Sequence, residues 1–155
     1  MTVREVQVLL PHPALPGADW ADCFEALSAD GGLSAEAAAR QTFGRMPFWV
    51  APLMALRNLV VRPFGLKHDS EAAIAGAPRI GMFPIISNSA DEIVLGFDDR
   101  HLDFRIVVET HPQMGKTAIR LMTLIKRHNR LGRIYLAVIT PFHKLIVAAA
   151  LARVG

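Results

Sequence analysis

The chain has 155 residues, 52% of them hydrophobic and 20% charged, with a formal net charge of +3. That length holds one domain, residues 1–155, with a core of its own, and the balance is that of a globular protein leaning apolar. A single cysteine, Cys23, excludes an internal disulfide and suits a reducing cytoplasm, where Cys23 reads as inert packing.

The charge is unevenly spread. From Thr110 to the C-terminus there are eight basic residues, Lys116 to Arg153, and no acidic one. They are scattered, without interleaved aromatics or a nucleic-acid motif, so they read as a solvated face rather than a nucleic-acid surface. An anionic small molecule would also be attracted.

In chain order, Met1 to Ala18 reads as an arm, with a short strand from Val3 to Leu10 and a proline-rich turn. Met1 to Gly17 has no apolar run of signal-peptide length and is cut by Pro11, Pro13 and Pro16. Trp20 to Ser28 reads as a strand, closed by a turn at Asp30, Gly31 and Gly32. Ser34 is placed to cap a helix from Ala35 to about Gly44. Phe48 to Val61, broken by Pro52 and ending before Pro63, is almost wholly apolar and reads as a helix buried on the sheet or on a partner.

From Arg79 the hydrophobic period changes to two. Arg79 to Ile86 reads as a strand in which Pro84 marks an edge or bulge. Glu92 to Phe97 follows, after a turn at Ser87 to Asp91. Leu102, Phe104, Ile106 and Val108 alternate with Asp103, Arg105 and Glu109, the clearest strand pattern in the chain. After a turn at His111 to Gly115, Lys116 to Arg127 is the last strand, with Ile119, Leu121, Thr123 and Ile125 on one face.

Asn129 to Val154 reads as one long helix capped by Asn129 and kinked at Pro141. Leu131, Tyr135, Val138, Phe142, Leu145 and Ala149 follow at steps of four and three, with Ile134 and Ile146 beside them, so this stripe is the expected core face. Arg133, Ala137, Thr140 and Lys144 fall opposite. Arg133, His143 and Lys144 interrupt the apolar run. A charge near the middle of a span costs about 2.5–3.5 kcal/mol, so membrane insertion is not expected. The order of elements implies an α+β layer: a curved antiparallel sheet wrapped around a kinked C-terminal helix.

Three strings carry a resemblance. They are Arg62-Pro63-Phe64-Gly65-Leu66-Lys67, Gly96-Phe97-Asp98-Asp99-Arg100-His101-Leu102-Asp103-Phe104, and Leu131-Gly132-Arg133-Ile134-Tyr135 with Pro141-Phe142-His143-Lys144-Leu145-Ile146. Over nearly its whole length the chain resembles a bacterial family of uncharacterised domains. That family is distantly similar to the START-like, polyketide-cyclase-like (SRPBCC) helix-grip superfamily. The resemblance implies a helix-grip fold holding a hydrophobic ligand between sheet and C-terminal helix. It carries over no catalytic residue. Related domains occur fused behind an epimerase-like nucleotide-binding domain, but this chain has no glycine-rich dinucleotide loop.

Two groups of residues are candidates for chemistry. Asp98, Asp99, His101 and Asp103 are the densest polar cluster, placed for an acid or base role at a cavity mouth; a polar hairpin turn, whose Asp side chains accept backbone hydrogen bonds, is the simpler explanation. No metal site is expected there, and no cofactor. The second group is the set expected to line a ligand cavity. Thr123 and Arg127 interrupt and end an apolar row, and Tyr135 carries a hydroxyl in the helix stripe. Phe97, Phe104, Val138 and Phe142 supply the apolar wall. Thr123 and Tyr135 bonding each other or a backbone carbonyl explains that pair equally. His128 and His143 flank the helix and read as surface or capping residues.

The expected function is therefore binding of a hydrophobic or aromatic small molecule, with or without an anionic group. One alternative is a cyclase, dehydratase or isomerase acting in the same cavity. Another is a non-catalytic partner domain of an oxidoreductase, or a homodimer, joined through the apolar helix 48–61.

Overall fold

The computed structural model describes residues 2–44, 79–80, 83–98, 102–152 and 154, without the side chains at positions 44, 79, 97, 131, 135, 138 and 139. The expected helix 48–61 therefore lies outside the described residues, as do Asp99 and His101 and the side chains of Phe97, Tyr135 and Val138.

The fold is α+β. Its strands are β1 (Val3–Val6), β2 (Trp20–Ser28), β3 (Arg79–Ile80), β4 (Phe83–Asn88), β5 (Glu92–Asp98), β6 (Leu102–Gln113) and β7 (Lys116–Arg127). The helices described are α1 (Ala35–Gly44) and α2 (Arg130–Leu151). All strands pair antiparallel in the order β1-β2-β7-β6-β5-β4-β3.

The one strand expected over Arg79 to Ile86 is two. β3 and β4 form a hairpin in which Arg79 faces Pro84 and Ile80 faces Phe83. Proline's missing donor is tolerated here because β4 has only the two-residue edge strand β3 on that side. A register shift between Ile85 and Ser87 marks the bulge. β6 runs further than its apolar alternation, through Pro112 and Gln113, because a two-residue turn at Met114 and Gly115 (φ 51° and 77°) joins it directly to β7. Gly96 is required where it stands. Its φ is 145°, and a Cβ would meet the Phe104 carbonyl oxygen at 2.2 Å.

One side of the sheet carries Phe24 and Ala26 of β2, Ile119 and Leu121 of β7, Ile106 and Val108 of β6, and Ile93 and Leu95 of β5. They share a core with Ala35, Ala38, Ala39 and Phe43 of α1, and with Val147, Leu151 and Val154 at the end of the chain. The small residues of α1 let it lie close on the strands, and Ser34 Oγ accepts from the Ala37 amide as its cap. A second cluster on the same side joins Leu102 and Ile125 to Leu136 of α2, with Trp20 and Phe104 against it. Leu95, Leu102, Ile106, Leu121 and Ile125 are buried on this helix-facing side as the alternation predicts, and Phe104 is half-buried among them.

The other side of the sheet buries Cys23, Val94, Val107, Met122 and Leu124 under Leu15, with Val8, Ala14 and Ala18 of the N-terminal arm packed against them. The arm is held by Leu15 and Ala18 amides donating to the carbonyls of His12 and Leu15.

α2 corrects one expectation. Asn129 does cap it, accepting from the Gly132 amide at 2.9 Å, and Pro141 lies within it. The face turned to the sheet, however, is Leu136, His143, Val147 and Ala150 to Leu151, one residue out of step with the expected stripe. Phe142 is 50% exposed, Leu145 61% and Ile134 60%. One position is about 100° of helix rotation. Periodicity placed the face wrongly because α2 is apolar on more than one side. The deciding contacts are polar and come from β1 and β2: Lys144 pairs with Glu5, and His143 with Asp22. Among the described residues, no helix is long and apolar enough to cross a membrane.

Candidate functional site

The sequence in β2 reads Trp20, Asp22, Phe24, Ala26, Ser28 along the helix-facing side, so alternation puts an acid into an otherwise apolar region. In β7 the same side reads Ile119, Leu121, Thr123, Ile125. The β2–β7 register places Asp22 directly opposite Thr123. Both are buried, at 3% and 4% exposure. Asp22 Oδ2 and Thr123 Oγ1 have no hydrogen-bond partner among the described residues.

Above Asp22 stands His143 of α2. Its Nε2 lies 3.5 Å from Asp22 Oδ1 in hydrogen-bonding geometry and 3.3 Å from Oδ2. The second approach is close enough for charge attraction but leaves Oδ2 without a properly directed hydrogen bond. The His143 side chain is 23% exposed and meets the edge of Trp20, ring centroids 6.1 Å apart at 71°. Asp22 and Thr123 thus sit where the larger core, with Phe24 and Leu121, meets the cluster of Leu102, Ile125 and Leu136. A row of edge-on aromatics, Phe43, Phe83 and Phe104, runs along the same side of the sheet.

This arrangement offers a carboxylate, a hydroxyl and an imidazole inside an apolar surround. The match to a family model is the observation that places it among known proteins. Residues 14–150 match the family described as a protein of unknown function, DUF2867. The chain belongs to the DUF2867 family. No curated protein and no solved structure matches it. The DUF2867 match includes Trp20, Asp22, Thr123 and His143, so all four belong to the family region.

The other sequence candidates fall elsewhere. Asp98 is bound to Arg105 at 2.8 Å and Asp103 to His128 at 2.9 Å. Asp98 and Asp103 face each other across β5 and β6, next to Phe97 and Phe104, and so lie on the side away from the helices. Among the described residues, no group of three or more His, Cys, Asp or Glu is placed to hold a metal ion. Arg127 is engaged by Asp19: its Nε donates to Oδ1 at 3.2 Å and its terminal nitrogen to the Asp19 carbonyl at 3.3 Å. Phe142, expected in the cavity wall, is half exposed on α2.

Several basic residues in the C-terminal part of this DUF2867 chain are answered by acids near the N-terminus. Arg120 pairs with Glu25, Arg127 with Asp19 and Lys144 with Glu5. Hydrogen bonds from Arg4 and then Arg120 hold the Glu25 carboxyl below its usual range, and Glu25 in turn raises Arg120. Burial, on the other side of the sheet, pushes the Cys23 thiol up to about 11.

Asp22, His143 and Trp20 are the site residues that sequence reasoning missed. The signal for Asp22 was present, as the one acid in the alternation of β2's helix-facing row. His143 carried none, since it lies one step from the apolar stripe that seemed to define the helix face.

Proposed function

We propose that the chain binds a small molecule with an apolar or aromatic body between the sheet and α2, in the manner of the helix-grip domains it resembles. The observation that carries this reading is the pair of orphaned oxygens, Asp22 Oδ2 and Thr123 Oγ1. A buried polar group left unsatisfied costs about 1–3 kcal/mol, so a fold that keeps two side by side is stabilised by anything that bonds them. A ligand hydroxyl can donate to Asp22 and accept from Thr123 at once. Trp20, Phe104, Leu102, Ile125 and Leu136 offer the apolar surface around them. Phe97, opposite Phe104 in the β5–β6 register, is proposed as further lining, whereas Tyr135 and Val138 belong to the stripe of Phe142 and are not. Arg127, held by Asp19, is proposed to face the mouth. An anionic group would sit toward Arg127 rather than beside the Asp22 carboxylate.

Native mass spectrometry of protein purified from its own host tests the reading. A stoichiometric adduct is expected, lost in Thr123→Val. Absence of any adduct, together with no saturable quenching of tryptophan fluorescence by naphthol, would remove it.

A second reading, an interaction module or homodimer, is favoured by the exposed Ile134, Phe142 and Leu145 on the outer side of α2. Sedimentation analysis tests it. A dimer that dissociates in Phe142→Glu supports it, and a monomer at all concentrations with no co-purifying protein counts against it.

A further inference from the structure

His143 stands over the Asp22 carboxylate and against the Trp20 indole, and Thr123 lies opposite Asp22 on the next strand. A carboxylate accepts hydrogen bonds, so the nitrogen facing Asp22, Nε2, is the one that carries hydrogen. That leaves Nδ1 with the free lone pair. Among the described residues, Asp22 is the only hydrogen-bonding partner of the ring. The ring is mostly covered yet not sealed, with 23% of its side chain exposed. A partly exposed imidazole whose Nε2 faces a buried carboxylate, with no partner at Nδ1 among the described residues, is an arrangement suited to proton transfer.

We propose that His143 is a general base that removes a proton from carbon beside a carbonyl group in an apolar substrate. The inference rests on the ligand-binding reading above. Asp22 is the positioning residue: it holds the tautomer and stabilises the imidazolium that forms. Thr123, beside Asp22 in the register, donates its hydroxyl hydrogen to the oxygen where negative charge develops. In the step the substrate C–H bond breaks, an Nδ1–H bond forms, and the electron pair moves onto the carbonyl oxygen as an enolate. Where the substrate carries a β,γ double bond the enolate is a dienolate, and return of the proton from Nδ1 to the γ carbon gives the conjugated isomer. Atoms and charge balance without a cofactor. Trp20 sets the flat apolar wall against which the substrate lies.

The test uses nitrobenzisoxazole, an aromatic probe of carbon-proton abstraction. Base removes its ring C–H proton, the N–O bond breaks, and a yellow cyanonitrophenolate is released. The intact chain is expected to show saturable turnover faster than free imidazole. His143→Gln should lower kcat about 10²-fold or more with KM within about threefold. Asp22→Asn should lower kcat about tenfold with KM kept; a merely structural Asp22 would move KM or thermal stability instead. Acylation of the wild-type ring by diethyl pyrocarbonate, mapped by mass, should abolish turnover, and hydroxylamine should restore it. This arm holds even if a variant fails to fold. Saturable turnover unaffected by His143→Gln or by acylation would overturn the base and leave the binding reading standing. Elimination no faster than free imidazole, with naphthol still quenching tryptophan saturably, would likewise overturn the base alone. The same slow elimination with no quenching would overturn both.

Discussion

Asp22 and Thr123 are direct cross-strand partners, and each keeps a buried oxygen without a hydrogen-bond partner among the described residues. If Thr123 is retained for a ligand rather than for the fold, removing its hydroxyl should cost the fold nothing. Thr123→Val is expected to leave stability unchanged or raise it by up to about 2 kcal/mol in urea denaturation. A loss above about 1 kcal/mol would mean that the hydroxyl is already bonded in the folded chain.

Gly96 allows β5 to lie against β6 at Phe104. A Cβ there meets the Phe104 carbonyl oxygen at 2.2 Å, on a backbone of φ 145° that side chains avoid. Both atoms in that contact belong to strands, so neither can turn away. Gly96→Ala is expected to lose at least about 2 kcal/mol, read from the denaturation midpoint at unchanged slope. Wild-type stability would show that the strands separate locally at little cost.

The sheet was legible because its residues are apolar at alternate positions and its turns are punctuated. β2, β7 and α1 begin and end where alternation, Ser34 and the glycines put them. β3 and β4 were not separated, since a lone Gly81 between them fits a glycine inside one strand as well as a turn. The site was half legible. Thr123 was found as a polar break in an apolar row, but Asp22 and His143 meet only after a helix docks on a sheet. Which face of α2 docks is settled by Glu5 and Asp22, 121 residues from His143 in the second case. No local pattern reports a contact of that separation.

Glu25 links the N-terminal strand to β7 through Arg4 and Arg120. Its folded-state pKa lies below the ordinary value of 4.5, chiefly through the hydrogen bonds from Arg4 and Arg120. A depressed carboxylate contributes stability above its unfolded pKa and loses it as pH falls through the folded one. Stability should therefore fall as pH drops below about 4.5, and Glu25→Gln should flatten that part of the curve. An identical pH profile for the variant, by denaturation at each pH, would show that Glu25 contributes no linkage.

Cys23 is 2% exposed and its thiol is raised to about 11 by burial. Little thiolate exists near neutral pH, and reagent cannot reach it in the folded chain. Labelling by dithiobis(nitrobenzoate) is expected only when the sheet opens, so its rate should track denaturant concentration as global unfolding does. Immediate labelling in buffer would contradict this burial.

The orientation of α2 makes the sharpest contrast between sequence pattern and structure. Leu136 is 3% exposed and packs on Leu102 and Ile125, whereas Phe142 is 50% exposed. Leu136→Ala should create a void and cost about 2–5 kcal/mol. Phe142→Ala removes a larger side chain yet should cost under about 1 kcal/mol, because much of its surface is already in water. The ranking is opposite to that given by the apolar stripe of Leu131, Tyr135, Val138 and Phe142, on which Phe142 would be the costlier loss. Urea denaturation of the two variants decides it. A larger loss for Phe142→Ala would mean that α2 is turned by one residue from the orientation described. His143 would then face away from Asp22, and the site built on that pair would fall with it.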